Sequence, residues 1–235
     1  MNTFKLKIIF LATLTLLASS TTFAQVRGAA ATQNMTFFVT SAGSGQGGNL
    51  GGLAGADARC QALAYVAGAG DLTWHAYLST QGPNAVNARD RIGSGPWYNA
   101  KGTMIARNLD ELHREESNRL NVVNALDEHG APVPYVGLDD DGVPLPLELQ
   151  ITPNVEHDAL TGSDANGMAY PAGEDRTCGN WTSNDEGSAM LGHIDRRTLG
   201  AGLSPWATAH PSAGCSQQAL INTGGTGRFY CFAID

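Results

Sequence analysis

Four cysteines constrain the fold of this 235-residue chain more than any other feature. They are Cys60, Cys178, Cys215 and Cys231. An even number of cysteines in an exported chain predicts two disulfides, and counting alone cannot choose among the three pairings that four cysteines allow. Zinc ligation is the alternative, but the sequence has no Cys-x-x-Cys pair of the kind on which cysteine-based zinc sites are usually built.

The first 24 residues predict export. Lys5 and Lys7 precede an apolar run over residues 8–17, and residues 22–24 form a small-x-small cleavage site. The run is too short to span a bilayer, and no other stretch of the sequence offers a membrane span. We therefore expect residues 1–24 to be a signal peptide and the mature protein to be secreted, either periplasmic or extracellular.

The charge balance argues against polyanionic partners. Removing residues 1–24 takes two lysines and no acidic residue from 14 basic and 22 acidic residues, which leaves a net charge of −10. Such a chain repels nucleic acids and sulfated glycans at long range, and Arg196 and Arg197 form its only adjacent basic pair. We expect no nucleic-acid partner and no heparin binding.

The mature chain has the composition of one globular domain. With 42% hydrophobic residues it can bury a sizeable core, and its 29 glycines and ten prolines predict many turns and long loops. We assign residues 25–34, which are small and polar, to a flexible leader and residues 35–235 to the domain.

Short strands and one or two helices alternate along this domain. Apolar spacing predicts a helix over residues 53–67 with Cys60 on its inward face, and a shorter helix over residues 108–120. Runs with β-type composition or alternation predict strands at residues 35–40, 74–80, 219–221 and 228–233. In the second of these runs, His75 and Tyr77 fall on the outer face. The mixture predicts the α+β class.

Two polar stretches are candidate calcium sites. The acidic turn at residues 139–142 resembles a calcium loop in composition but lacks the EF-hand spacing, and a solvated loop is the alternative. Asn184 and Asp185 offer oxygen ligands, with a turn cap as the alternative. We take Asp139, Asp141, Asn184 and Asp185 as the candidate metal ligands, and calcium is the one cofactor that the sequence suggests.

The sequence lacks the local signatures of common enzymes. The segment at residues 108–120 contains His113 and Glu116 but no H-E-x-x-H, and no G-x-S-x-G elbow occurs. The glycine-rich residues 41–52 lack the lysine of a phosphate loop. With the cysteines assigned to disulfides, we predict a protein that is not an enzyme.

A series of short motifs carries a family resemblance along nearly the whole mature chain. They are residues 52–57 with Cys60, 76–80, 108–112, 162–167, Cys178 with Trp181, 191–192, 214–215 and 230–231. In this order they resemble the endostatin domain of collagens and, more closely, bacterial secreted endostatin-like or lectin-like proteins of the C-type-lectin fold. The resemblance implies an α+β fold with a mixed antiparallel sheet, one or two helices, long loops and two disulfides.

The resemblance also implies a disulfide pairing. Cysteines of this fold pair first with last and second with third, which gives Cys60 with Cys231 and Cys178 with Cys215. The N-terminal histidine cluster through which endostatin binds zinc does not carry over, because no histidine precedes His75.

The function that the resemblance implies is a secreted, non-enzymatic binding module for carbohydrate or for an extracellular protein. The E-P-N and Q-P-D loops of calcium-dependent lectins are absent, and residues 181–185 only echo their W-N-D strand. The candidate ligand-binding residues are Trp97, Tyr98, Trp181, Asn184, Asp185 and Trp206. The alternative is a structural or adhesin-type extracellular component, and an enzyme on the same fold ranks below both.

Overall fold

The computed structural model describes residues 34–133, 156–195 and 205–235. The predicted signal peptide, nearly all of the predicted leader and the candidate ligands Asp139 and Asp141 lie outside the described residues. Within these three ranges, no helix is both long and apolar enough to cross a membrane.

A mixed sheet of six strands organises the described part of the chain, with β8 (Gly225–Ala233) at its centre. The strands β1 (Phe37–Val39) and β2 (Trp74–Ala76) both pair antiparallel with β8. A third strand, β5 (Asp158–Leu160), pairs parallel with β8 at residues 225–229. The α+β class and the mixed sheet expected from the sequence are therefore confirmed.

Two further strands extend the sheet beyond β5. The strand β6 (Met190–His193) pairs antiparallel with β5, and β7 (His210–Pro211) pairs antiparallel with β6. A separate two-stranded sheet joins β3 (Trp97–Tyr98) to β4 (Met104–Ala106). The order β8-β5-β6-β7 brings together the ends of strands that are far apart in the sequence.

The helix α1 (Gly52–Val66), the longest among the described residues, confirms the prediction for residues 53–67. Its buried residues are Ala56, Cys60 and Ala64, which follow one another at the i, i+4 spacing of a helix face. Cys60 forms a disulfide with Cys231 in β8 and so joins this helix to the central strand. A second disulfide joins Cys178 to Cys215, so the implied pairing is confirmed.

The strand predicted at residues 219–221 is wrong, because this segment belongs to the helix α4 (Gln217–Thr223). The hydroxyl of Ser216 caps its N-terminus by accepting a hydrogen bond from the Ala219 N–H at 3.1 Å. Gly224 ends the helix in a left-handed conformation with φ of 112°. A three-residue apolar run is too short for its periodicity to distinguish helix from strand.

The helix predicted at residues 108–120 is shorter than expected. It covers only α2 (Leu109–His113), which Asn108 caps by accepting a hydrogen bond from the Glu111 N–H at 2.9 Å. The side-chain amide of Asn118 donates to the Leu112 carbonyl at 2.8 Å. That bond satisfies a carbonyl at the C-terminus of α2 and folds the following residues back onto the helix.

One short helical turn, α3 (Cys178–Trp181), has an unusual backbone. Its four residues all have positive φ, between 48° and 67°, although only Gly179 is a glycine. Such left-handed conformations cost on the order of 1 kcal/mol per non-glycine residue, so neighbouring contacts must hold the turn. The Cys178 disulfide and a 2.8 Å hydrogen bond from Trp181 Nε1 to the Ser79 carbonyl provide them.

Two hydrophobic clusters contain residues from alternate positions of β8. Phe229 and Cys231 belong to the cluster that includes the buried residues of α1, whereas Tyr230 and Phe232 belong to the other. The alternation follows from the two-residue period of a strand, with both faces covered. Tyr77, which the sequence placed on an outer face, is fully buried in the second cluster, and that prediction is wrong.

Candidate metal centre

Three histidines and two aspartates meet where β5, β6 and β7 lie side by side. They are His157, Asp158, His193, Asp195 and His210. Asp158 begins β5 and is the register partner of His193 at the end of β6, and His210 begins the neighbouring strand β7. Strand pairing therefore brings donor groups from three separate segments to one end of the sheet.

Three of these side chains converge as the ligands of one ion would. The Asp158 Oδ1 atom lies 3.4 Å from His193 Nε2 and 3.6 Å from His210 Nε2, and the two nitrogens are 3.0 Å apart. Zinc bonds to nitrogen and oxygen of 2.0–2.2 Å imply ligand–ligand separations of about 3.3–3.6 Å in a tetrahedral site. The three atoms thus already have roughly the spacing of one coordination sphere.

An overlapping set combines His157, His193 and Asp195. The imidazole of His157 stacks on that of His193, with ring centroids 4.4 Å apart. Its Nδ1 atom lies 3.5 Å from Asp195 Oδ1, and its Nε2 atom lies 3.4 Å from Asp158 Oδ1. His157 therefore stands between the two carboxylates.

The Asp158 carboxylate and one carboxylate oxygen of Asp195 are buried without hydrogen-bond donors among the described residues. Asp158 is 1% exposed and Asp195 is 5% exposed. Among the described residues, neither carboxylate oxygen of Asp158 has a hydrogen-bond partner, nor has Asp195 Oδ1. A buried carboxylate without a donor carries a large desolvation cost, which a neighbouring cation offsets.

The same burial shifts the titration of the centre. Desolvation raises the pKa of Asp158 to about 6, opposed by the neighbouring imidazoles of His157 and His210. Desolvation also lowers the pKa of His193 to about 4, and the nearby His157 acts in the same direction. Both shifts favour the uncharged forms: the neutral imidazole is the form that binds a metal, whereas the Asp158 carboxyl must lose its proton to do so.

Two glycines make room for the cluster. A Cβ atom on Gly224 would lie 3.0 Å from His157 Nε2, and one on Gly225 would lie 2.9 Å from the Cβ atom of Asp158. Both distances are shorter than side-chain contacts normally allow. The turn from α4 into β8 therefore packs its backbone directly beneath His157 and Asp158.

Hydrogen bonds around the cluster hold its members in place. His210 Nδ1 lies 3.2 Å from the Pro211 carbonyl, which can only accept, so Nδ1 donates and Nε2, 3.0 Å from His193 Nε2, carries the lone pair. Arg228, which is buried, donates from Nε to Glu156 Oε2 at 2.9 Å and from Nη1 to the Thr40 carbonyl at 2.7 Å. These bonds anchor the residue that precedes His157.

The donor set indicates which ions fit. Two imidazole nitrogens and one carboxylate oxygen suit zinc, copper, nickel, cobalt or iron, whereas calcium and magnesium prefer oxygen ligands throughout. The centre therefore differs in chemistry from the calcium site predicted from the sequence. Asn184 and Asp185, the two candidate calcium ligands within the described residues, belong to neither histidine set.

The residues predicted to bind a ligand lie on separate elements. Trp97, Trp181 and Trp206 are almost fully buried: Trp97 packs edge-on against Phe232, and Trp206 packs at a tilt against Tyr77. Tyr98, in β3, is half-buried, and Asn184 and Asp185 are exposed in the loop after α3. The structure gives the three tryptophans packing roles, and a role in ligand binding stays a prediction for all six.

Sequence reasoning missed the histidine centre. Asp158 and His193 are separated by 35 residues, and His193 and His210 by 17, so no short ligand motif connects them. The one hint in the sequence was that three of the six histidines follow residue 150 in a chain with few charged residues. This count does not show which side chains lie close together in the fold.

No protein-family model matches this chain, and no curated protein matches it either. Its class rests on its own features: an α+β protein with a mixed sheet, two disulfides and a buried group of histidines and aspartates that is able to hold a metal ion.

Proposed function

We propose that the protein is a secreted binding module that holds one divalent transition-metal ion, zinc foremost, between Asp158, His193 and His210. One observation carries the proposal. Among the described residues, the Asp158 carboxylate, which is 1% exposed, has no hydrogen-bond donor, yet the Nε2 atoms of three histidines lie 3.4–3.6 Å from its Oδ1 atom. A cation at this point would compensate the buried charge and use the imidazole lone pairs.

The proposal includes the endostatin-like or C-type-lectin-like fold that the sequence resembles. The mixed sheet, the long helix α1 and the first-with-last disulfide between Cys60 and Cys231 support it. Disulfides persist in oxidising compartments, which supports a periplasmic or extracellular location. Fold does not determine ligand, so the metal assignment depends on the site itself.

Zinc titration of the mature, oxidised protein tests the proposal. We expect one zinc ion per chain after removal of metal with a chelator, measured by elemental analysis after dialysis and by calorimetry. Zinc at 1,000 times its dissociation constant should stabilise the fold by about 4 kcal/mol, because it binds only the native state. Calcium, the matched control ion, should give no such gain through this centre. A protein that retains no zinc and gains no thermal stability contradicts the proposal.

A second candidate function is recognition of a glycan or an extracellular protein by the loop at residues 183–187. Asn184, Asp185 and Glu186 are exposed there. The loop is tied down by a 2.8 Å hydrogen bond from Ser183 Oγ to the Glu186 carbonyl, and by the Cys215 N–H, which donates to the Asp185 carbonyl at 3.3 Å. An ordered polar loop of this kind suits binding at low entropic cost.

Glycan-array binding in calcium and then in EDTA tests this second function. We expect a signal that Asn184→Ala and Asp185→Ala abolish, while Asp158→Asn leaves it intact because the loop and the metal centre are separate sites. A flat response to glycans and to matrix proteins in both buffers contradicts it.

A further inference from the structure

We propose that His113 is an acid-sensitive latch: when its imidazole takes up a proton, it loses the hydrogen bond that it accepts from Tyr77, and the helix α2 loosens from the hydrophobic core. The inference goes beyond the proposed function and does not depend on it, because His113 belongs to neither histidine set of the metal centre. It gives the protein a response to the acidity of its surroundings.

The hydrogen bonds of the His113 imidazole require its uncharged form. Nδ1 lies 2.8 Å from the Leu109 carbonyl, which can only accept, so Nδ1 carries the ring hydrogen. Nε2 is then the nitrogen with the lone pair, and the Tyr77 hydroxyl, 2.9 Å away, donates to it. A proton on Nε2 removes this hydrogen bond, because a charged imidazole has two donors and no acceptor.

The bond between Tyr77 and His113 joins three parts of the fold. Tyr77 directly follows β2, and His113 ends α2. Gly167 covers the bond, since a Cβ atom at this position would lie 2.6 Å from the Tyr77 hydroxyl and 2.5 Å from His113 Nε2. It has φ of 73°, a left-handed conformation that glycine adopts at little cost. The backbone of the loop at residues 162–168 therefore lies directly against the bond.

Aromatic packing adds to this enclosure. The ring centroid of Trp206 lies 5.7 Å from that of His113 and 4.7 Å from that of Tyr77. Tyr77 is fully buried, and the part of the chain that the structure describes offers its hydroxyl no hydrogen-bond partner other than His113. Protonation of His113 therefore leaves a buried hydroxyl without an acceptor and a charged imidazole in a largely desolvated place, and both are unfavourable.

The surroundings of His113 oppose its protonation in the folded state. Burial has the largest effect and lowers the pKa of His113 below its ordinary value of 6.5. Three charged groups face the imidazole from neighbouring elements. Arg89, in the 3₁₀ turn at residues 88–91, lowers the pKa further, whereas Asp164, in the loop over the bond, and Asp110, in α2, raise it.

The Tyr77 hydroxyl does not titrate in the acid or neutral range. Burial raises its pKa well above the ordinary value of 10, and the charges of Asp164 and Glu115 act in the same direction. The hydroxyl therefore keeps its hydrogen, and His113 is the member of the pair whose charge changes.

The helix α2 is the part of the fold that yields. It has only five residues, which is too few for a helix to be stable without tertiary packing. Leu112 is buried in the same hydrophobic cluster as Tyr77, and its N–H donates to the Asn108 carbonyl at 3.0 Å. This N–H becomes open to exchange with water when α2 detaches.

The direction of the pKa shift sets the pH range of the latch. Because the pKa of His113 is lower in the folded state than its ordinary value of 6.5, the open or unfolded state binds more protons below that pH. The contribution of His113 to stability is fully present above pH 6.5 and is lost as the pH falls from there through the lowered pKa of the folded state.

Hydrogen exchange of the Leu112 N–H in the mature, oxidised protein tests the inference. We expect its protection factor to fall about tenfold between about pH 8 and about pH 5, because opening of α2 lets His113 bind a proton. The N–H of Ala64 in α1, the helix that the Cys60 disulfide joins to β8, is the reference for changes in the whole fold, and its protection should fall less.

Three variants isolate the latch. His113→Gln keeps an acceptor for the Tyr77 hydroxyl but cannot be charged, so its Leu112 protection should stay nearly constant over the same pH range. Tyr77→Phe removes the donor and should show, already at about pH 8, the low protection that the wild type reaches at about pH 5. His129→Gln is the matched control, because the His129 side chain is 50% exposed, and it should keep the full pH response.

Two results would overturn the inference. Equal Leu112 protection at both pH values in the wild type would mean that proton uptake does not open α2. A fall that persists unchanged in His113→Gln would assign the response to another titrating group. Neither result bears on the metal centre, because zinc content is measured separately.

Discussion

Asp158→Asn is expected to abolish zinc binding while leaving the metal-free fold at least as stable as the wild type. The wild-type carboxylate is 1% exposed and finds no hydrogen-bond donor in the part of the chain that the structure describes, so the neutral amide of similar shape removes a desolvation cost. Loss of groups that merely support a metal ligand lowers affinity about 10–100-fold, and loss of the ligand itself should exceed that range. Urea unfolding with and without zinc measures both effects in one series.

Asp127→Asn is the matched control for this experiment. Asp127 is also buried, at 8% exposure, but its Oδ1 atom accepts hydrogen bonds from the N–H groups of His129 and Ala131, each at 2.9 Å. The amide oxygen of asparagine can accept the same two bonds, so the control should keep both its zinc affinity and roughly the stability of the wild type, whereas Asp158→Asn should lose zinc. Zinc affinity that survives in Asp158→Asn would remove Asp158 from the ligand set.

Replacing both Cys60 and Cys231 with alanine is expected to lower the free energy of unfolding by about 5 kcal/mol. The bridge closes a loop of 171 residues, and the entropy that it removes from the unfolded chain grows with the logarithm of loop length. Both cysteines are fully buried, so the double substitution avoids a buried free thiol but leaves a gap between α1 and β8. Urea unfolding of the oxidised variant, compared with the wild type, gives the difference.

The second disulfide supplies the comparison. Cys178 and Cys215 are 37 residues apart, and the same relation gives about 4 kcal/mol for their removal. The loop-entropy account therefore predicts the larger loss for Cys60 and Cys231. The reverse order would mean that strain released from the left-handed turn α3, or residual structure in the unfolded chain, outweighs loop length.

The local sequence predicted those parts of the fold that neighbouring residues decide. The apolar spacing at residues 53–67 specified α1, since side chains four positions apart fall on one helix face. The run at residues 228–233 specified the core of β8. The even cysteine count in a chain expected to be exported specified two disulfides, and the resemblance to a known family supplied their pairing.

Predictions failed where a distant contact or a cap decided the outcome. The apolar residues 219–221 would suit either a helix or a strand. The N-terminal cap by Ser216 and the left-handed turn at Gly224 select the helix. Tyr77 is buried because Trp206, Tyr230 and Phe232 surround its ring, and two of these come from β8, about 150 residues further along the chain. Strand alternation alone does not reveal that both faces are covered.

By itself, then, the sequence determined the class, the main helix, the central strand and the number of disulfides, because spacing and composition encode these locally. Only the tertiary structure decided the candidate metal centre. Asp158, His193 and His210 become neighbours because β5, β6 and β7 pair side by side, and the order of strands in a sheet follows from packing over the whole chain. The burial that leaves the Asp158 carboxylate without a donor from residues 34–133, 156–195 and 205–235 follows from the same packing, through the backbone of Gly224 and Gly225 beneath it.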